Sequence, residues 1–195
     1  PTSFEGAVPF GRLQMDLAKE LDFNKDSCLE LNEAVPFAIP ALLEYPGTGS
    51  LCVSAHEQNH EQGIQALKNT VLRLLMTLPP GKARFSFIDP LALGETFAGF
   101  MHLNDYKESL TGGRISTKTR QIDQQLTDLT DHMETVIQKY LRNEFENICE
   151  YNDAVGEIAE PFRFLAIADF PLNFSDEAVK KLISIANSGA RCGVY

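Results

Sequence analysis

Two histidines with a glutamate between them, His56-Glu57-Gln58-Asn59-His60, spell the H-E-x-x-H arrangement. Inside a helix, that spacing offers two imidazoles to a zinc ion one turn apart while the glutamate activates a bound water, which is the chemistry of a zinc peptidase. The surroundings argue for something else. In zinc peptidases the motif lies within a helix among apolar neighbours, whereas here it follows the apolar run Ser50-Leu51-Cys52-Val53-Ser54-Ala55 and falls at a helix entrance. His102 and His132 are distant in sequence and Glu95 is one glutamate among many, so no third ligand stands out. The favoured reading of His56 and His60 is a solvated helix start, with a metal pair in a zinc metalloprotease as the alternative.

Two aspartates close apolar runs: Asp89 in Ile88-Asp89-Pro90, and Asp169 in Ile167-Ala168-Asp169-Phe170. An acid at the end of a strand can serve a ligand, but Asp-Pro is also an ordinary turn starter. With no base or nucleophile nearby in sequence, Asp89 reads as a turn residue. Gly112-Gly113-Arg114 reads as a flexible connection rather than an anion nest.

The elements that must position these residues follow from hydrophobic periodicity. Leu13, Met15 and Leu17 alternate with Arg12, Gln14 and Asp16, as in a half-buried strand, with a short helix from Met15 as a competitor. Val35 to Leu43 is interrupted by Pro36 and Pro40 and can be an edge strand at most. Residues 1–45 are therefore expected to form a β-rich subregion, with a second unit over 46–195 that opens at Pro46-Gly47-Thr48-Gly49. In that unit Ser50–Ala55 predicts a buried strand, Ile64, Leu67, Val71, Leu74 and Leu75 predict a helix ended by Pro79, and Ala83–Ile88 predicts a strand. Ile122, Leu126, Leu129, Met133, Ile137 and Leu141 form the strongest stripe, the core face of a helix near Lys118–Asn143. Phe162–Ala168 is the next strand, Ser175-Asp176-Glu177 opens a helix running to Ser188, and Arg191–Tyr195 is a last strand. Strands alternating with helices predict an α/β fold with a mostly parallel sheet, whose ligands bind beyond the C-terminal strand ends.

At 195 residues and 44% hydrophobic content, the chain can build one sizeable core. A net charge of −10, with no run of basic residues, excludes strong nucleic-acid binding through overall charge. Cys28, Cys52, Cys149 and Cys192 lack metal-site spacing and read as reduced, packed thiols. No apolar run approaches the length of a membrane helix, and the first residues lack the order of a secretion signal, so the expected location is cytoplasmic, without membrane contact by this segment. The start at Pro1 and the stop at Gly193-Val194-Tyr195 suggest a piece of something longer.

Taken in order, several short stretches resemble the FtsK/SpoIIIE ATPases: Arg84-Phe85-Ser86-Phe87-Ile88-Asp89-Pro90, Asn147-Ile148 with Tyr151-Asn152, Pro161 to Phe170, and Ile185-Ala186-Asn187-Ser188-Gly189-Ala190-Arg191-Cys192-Gly193. The resemblance covers about residues 48–195 and implies a P-loop NTPase (RecA-like) three-layer sandwich. In that family, the turn after the first strand is a Walker A loop, whose glycines bare backbone N–H groups to phosphate while a lysine and a hydroxyl hold phosphate and Mg²⁺. Counting back from Asp89 places Glu57, His60 and Gln62 at the glycine positions, Gly63 at the lysine and Ile64 at the hydroxyl. The acidic pair of the Walker B strand is reduced to Asp169, a relic with Ala168 beside it.

The resemblance thus implies a degenerate copy that binds no cofactor itself. ATP and Mg²⁺ would belong to an adjacent active ATPase domain of the same chain, which this copy would help to assemble or regulate. It further implies a ring oligomer, contact with DNA only through the full-length motor, and membrane association only through other parts of the chain. Arg191 could act across a subunit boundary as an arginine finger, but its own domain has no competent site to support that role. A type VII secretion-like protein-export motor is the alternative within the same fold.

Overall fold

The computed structural model describes residues 6–15, 37–44, 49–79, 81–105 and 110–195. Near the N-terminus, β1 (Ala7–Met15) and β2 (Phe37–Glu44) form an antiparallel ribbon with a register shift between Pro9 and Gly11. A two-stranded ribbon has two open edges, so Pro40, opposite Arg12, removes no essential ladder bond. The alternation read from Arg12 onward is present, but Leu13 is half exposed; it is Val8, fully buried, that joins the core. The expected residues Asp16 and Leu17 lie outside the described part of the chain.

The principal sheet is parallel, with strand order β4-β3-β5, built from β3 (Ala83–Ile88), β4 (Thr111–Ser116) and β5 (Phe162–Ile167). The strand β3 lies in the middle and its Phe85, Phe87 and Ile88 are buried, as a strand flanked on both sides requires. Phe85 stacks on Phe164 at 5.1 Å and Phe87 on Phe97 at 4.8 Å, so aromatic rings tie the strands to the segment that follows β3. That segment contains a short helix, α2 (Ala98–Met101), whose Phe100 also stacks on Phe87.

Helix α1 (His60–Thr77) buries Val71 and Leu74 and stops ahead of Pro79, as its apolar spacing predicts. The long stripe forms α3 (Thr119–Thr135), which continues into a π-helical turn over Val136–Leu141 and ends where Arg142 and Asn143 take left-handed backbone. The wider turn moves the buried stripe by one residue: Val136 is fully buried while the expected Ile137 is 42% exposed. Helix α4 (Ile148–Val155) starts at Asn147, whose Oδ1 accepts from Cys149 N at 2.9 Å and Glu150 N at 3.2 Å. Helix α5 (Asp176–Ser188) starts at Ser175, whose Oγ accepts from Ala178 N and donates to Asp123 Oδ1 at 2.6 Å, joining α5 to α3. Together these elements give an α/β fold with helices packed around a parallel sheet.

Three expectations are corrected. Residues 50–55 form no strand; they are mostly exposed, and no ladder joins them to the sheet among the described residues. Gly49 sits so close to the Tyr195 ring that a Cβ there would overlap it, so the segment meets the sheet through a side chain rather than through backbone pairing. Cys52, expected in the core, is consequently exposed; Cys149 is half-buried, Cys192 is buried, and Cys28 lies outside the described residues. The second correction is Gly112-Gly113-Arg114, which is not a loop but the middle of β4. An edge strand tolerates glycine, and Gly113 at φ 77° accompanies the register shift between Phe85 and Phe87.

The last expected strand, residues 191–195, is a 3-10 turn over Ala190–Cys192 followed by an isolated parallel bridge between Val194 and Arg163. Gly193 turns the chain at φ 73°, after which Tyr195 N donates to Arg163 O at 2.8 Å and Leu165 N to Tyr195 O at 2.7 Å. Among the described residues, no helix is long and apolar enough to cross a membrane.

Candidate functional site

The C-terminal ends of β3 and β5 carry the two aspartates that the sequence singled out, and the fold gives them different work. Asp89 is fully buried, and its carboxylate accepts from the backbone N–H groups of Ala92 at 3.1 Å, Gly94 at 3.1 Å and Thr96 at 3.0 Å. A carboxylate that gathers three backbone amides closes the turn that follows the strand. This is the turn role expected for Asp-Pro.

Asp169 lies just past the end of β5 in left-handed backbone, φ 54°, an uncommon conformation that short polar side chains tolerate best. Its Oδ1 meets the Nε2 of His60, at 2.5 Å, across 109 positions of sequence. The aspartate side chain is 11% exposed and the histidine 47%. His60 is the first residue of α1, so the strand end of β5 and the helix that follows the 49–56 segment are brought together here. Ala168, beside Asp169, is buried, and its N–H donates to Ile88 O at 2.9 Å, so no second acid flanks the first.

The other Walker A positions lie in regular structure. Glu57 opens a 3-10 turn, Glu57–Asn59, while Gln62, Gly63 and Ile64 occupy the first turns of α1. The glycines with positive φ are Gly81, Gly94, Gly113, Gly156 and Gly193, so none of the residues at 57–64 supplies the left-handed backbone from which a phosphate nest is built. Gly63 instead lets the chain at Ala55 approach α1, a Cβ there meeting Ala55 Cβ at 3.0 Å. Ile64 packs on the core. Glu57 and Glu61 stand exposed at the helix start.

The H-E-x-x-H spacing does not become a zinc pair on one helical face. His56 precedes the 3-10 turn in extended backbone, φ −89° and ψ 165°, and its carbonyl accepts from Asn59 N at 2.8 Å. Only His60 is helical, and its ring nitrogen meets Asp169. Among the described residues, no group of three His, Cys, Asp or Glu side chains is arranged to hold a metal ion.

The N-I-x-x-Y-N stretch has structural duties. Asn147 caps α4, Ile148 is buried, Tyr151 stacks on Tyr140 at 5.2 Å, and Asn152 clamps the backbone of Glu160 by accepting at 2.8 Å and donating at 2.9 Å. Arg191 donates to the backbone of Glu146 at 2.8 Å.

A further cluster gave no signal beyond an isolated histidine. His132 of α3 is 10% exposed, with Nε2 4.0 Å from Glu160 Oε1, and Arg163 Nη2 donates to the same oxygen at 3.3 Å. Arg163 is paired in register with Arg84 across β3 and β5. Burial first, and then the charges of Arg163 and Arg84, push His132 down to about 4, so it is neutral at pH 7.

No family model matches the chain, and no curated protein sequence does. Among solved structures it is similar to the pCW3 conjugation coupling protein TcpA, in a monomer form with ATPγS, at a TM-score of 0.58 and 17% identity. The match covers 80% of this chain and 43% of the coupling protein, so the chain spans less than half the length of that neighbour. The likeness is one of fold.

Proposed function

We propose that this chain is a non-hydrolysing ATPase-fold domain of an FtsK/SpoIIIE-type DNA segregation or translocation motor, acting in the assembly or regulation of an adjacent active ATPase domain. The observation that carries the reading is the His60–Asp169 pair. It links the start of α1 to the residue just past the end of β5, which on this reading are the degenerate Walker A position and the relic Walker B acid. A triphosphate entering there would meet Glu57, Glu61 and Asp169 without a lysine or a nest of amides, and like charge in a partly desolvated site is repulsive. The backbone at 57–64 supports the same reading, because no residue there takes the left-handed conformation from which a phosphate nest is built. Nucleotide would then be bound by a neighbouring domain, and DNA by the full-length motor.

Isothermal titration of the chain with Mg·ATP tests this reading. The expected result is no binding heat at micromolar nucleotide; affinity of micromolar order or better would overturn it.

A further inference from the structure

On the flank of the sheet away from β5, a groove of about 350 Å³ opens between β4 and the first turns of α3, lined by Arg114, Arg120, Gln121 and Gln124. Among the described residues no carboxylate lines it, in a chain whose net charge is −10. Both arginines are exposed, and neither guanidinium makes a hydrogen bond or ion pair with the described residues. Of the acids of α3 nearest in sequence, Asp123 is engaged away from the groove, accepting from Ser175 at 2.6 Å, while Asp128 accepts at 2.8 Å from Nε2 of Gln124 on the groove's rim. The ligand donors of the groove are therefore Arg114, Arg120 and Gln121.

Gln121 is held by its oxygen, which accepts from the backbone N–H of Thr117 at 3.1 Å and of Lys118 at 3.2 Å. Its amide nitrogen is left without a partner among the described residues. The groove therefore presents two planar guanidinium forks, from a strand and from a helix, together with an amide donor held in place by its own oxygen. An anion with several oxygens satisfies such a set better than a single carboxylate does, and guanidinium forks match phosphate geometry.

We propose that this groove binds a phosphate-bearing ligand, with Arg114 and Arg120 holding phosphate oxygens and Gln121 donating from its side-chain amide. The site is separate from the His60–Asp169 pair, and Mg·ATP bound here rather than at residues 57–64 would be lost when Arg114→Gln and Arg120→Gln are combined, which keeps the two readings distinguishable. The chemistry it recognises is a phosphate group, carried either on a nucleic-acid backbone or on a free polyphosphate. The arrangement also explains how an acidic chain can engage an anion: the favourable field is local, and a screening length of about 8 Å at physiological salt keeps the distant acids from cancelling it.

The test is an amide chemical-shift titration of the chain with inorganic tripolyphosphate, and separately with a short single-stranded oligodeoxynucleotide, at low salt. Perturbations should centre on residues 112–124. Arg114→Gln and Arg120→Gln should each weaken binding about tenfold, and the double variant about a hundredfold, with unchanged circular dichroism. An oligonucleotide bound more than about tenfold tighter than tripolyphosphate, with a log–log salt slope reduced by roughly 1.4 in the double variant, assigns a nucleic-acid backbone. Equal affinities, or tighter binding of tripolyphosphate, assign a free polyphosphate. Shifts centred elsewhere, no shifts at millimolar ligand, or equal binding by wild type and double variant would overturn the proposal.

Discussion

Replacing His132 with leucine should change how the stability of this chain depends on pH. In the folded chain, burial and the charges of Arg163 and Arg84 hold the imidazole at about 4, against an ordinary value of 6.5. The folded pKa is the lower one, so between those two values the unfolded chain binds a proton that the folded chain refuses. Stability is therefore full above about pH 6.5 and is lost progressively as pH falls toward 4. A difference of about 2.5 units corresponds to roughly 3 kcal/mol, a large share of the stability of one domain. The side chain is 10% exposed, so solvent screens this little.

His132→Leu removes the titration while filling much of the same volume. Urea unfolding followed by far-ultraviolet circular dichroism, at pH 7 and again near pH 4.5, gives the stability gap between wild type and variant at each pH. Carboxylates titrate in both proteins and cancel in that comparison. The gap should move in favour of the variant by roughly 2–3 kcal/mol between the two conditions. A gap independent of pH would mean that His132 titrates alike in the folded and unfolded chain, and the account of its surroundings would fall.

Asp89→Ala should destabilise the chain by roughly 3 kcal/mol in chemical denaturation, because the amides of Ala92, Gly94 and Thr96 lose one shared acceptor. A loss below about 0.5 kcal/mol would contradict the turn-closure role. His60→Ala should cost less than about 1 kcal/mol in the same assay, because the histidine is 47% exposed, and should leave the chain without micromolar affinity for Mg·ATP. Gly189→Ala should lower the melting temperature, since a Cβ there would run into the carbonyls of Ile185 and Val194; an unchanged melt would show that the Val194 bridge is not held by that turn. With a thiol reagent under native conditions, Cys52 should react before Cys149, whose thiol burial pushes up to about 11, and before the buried Cys192; mass mapping of the modified site decides the order.

Much of the frame was legible because its signals are local. The stripe at Leu126, Leu129 and Met133, the helix stop at Pro79, the cap at Ser175 and the strand Ala83–Ile88 each depend on period or on turn chemistry carried by a few adjacent residues. That residues 57–64 hold no lysine and a single glycine was legible for a similar reason, since these are facts of residue type. Ladder partners were not legible. Ser50–Ala55 has the composition of a strand but pairs with none of the described ones, while Gly112–Gly113 has that of a loop and yet completes the edge of the sheet. Likewise Ile137 fits the apolar period, but a π turn puts Val136 in the core instead.

Residue identity by itself thus determined what chemistry position 57–64 lacks and which faces of the helices are apolar. The meeting of His60 with Asp169, of His132 with Glu160 and Arg163, and of Arg114 with Arg120 was decided only by the tertiary structure. Hydrophobic period constrains neighbours three or four residues apart along one element, whereas these pairs depend on strand order and helix crossing, which bring together groups that no local pattern relates.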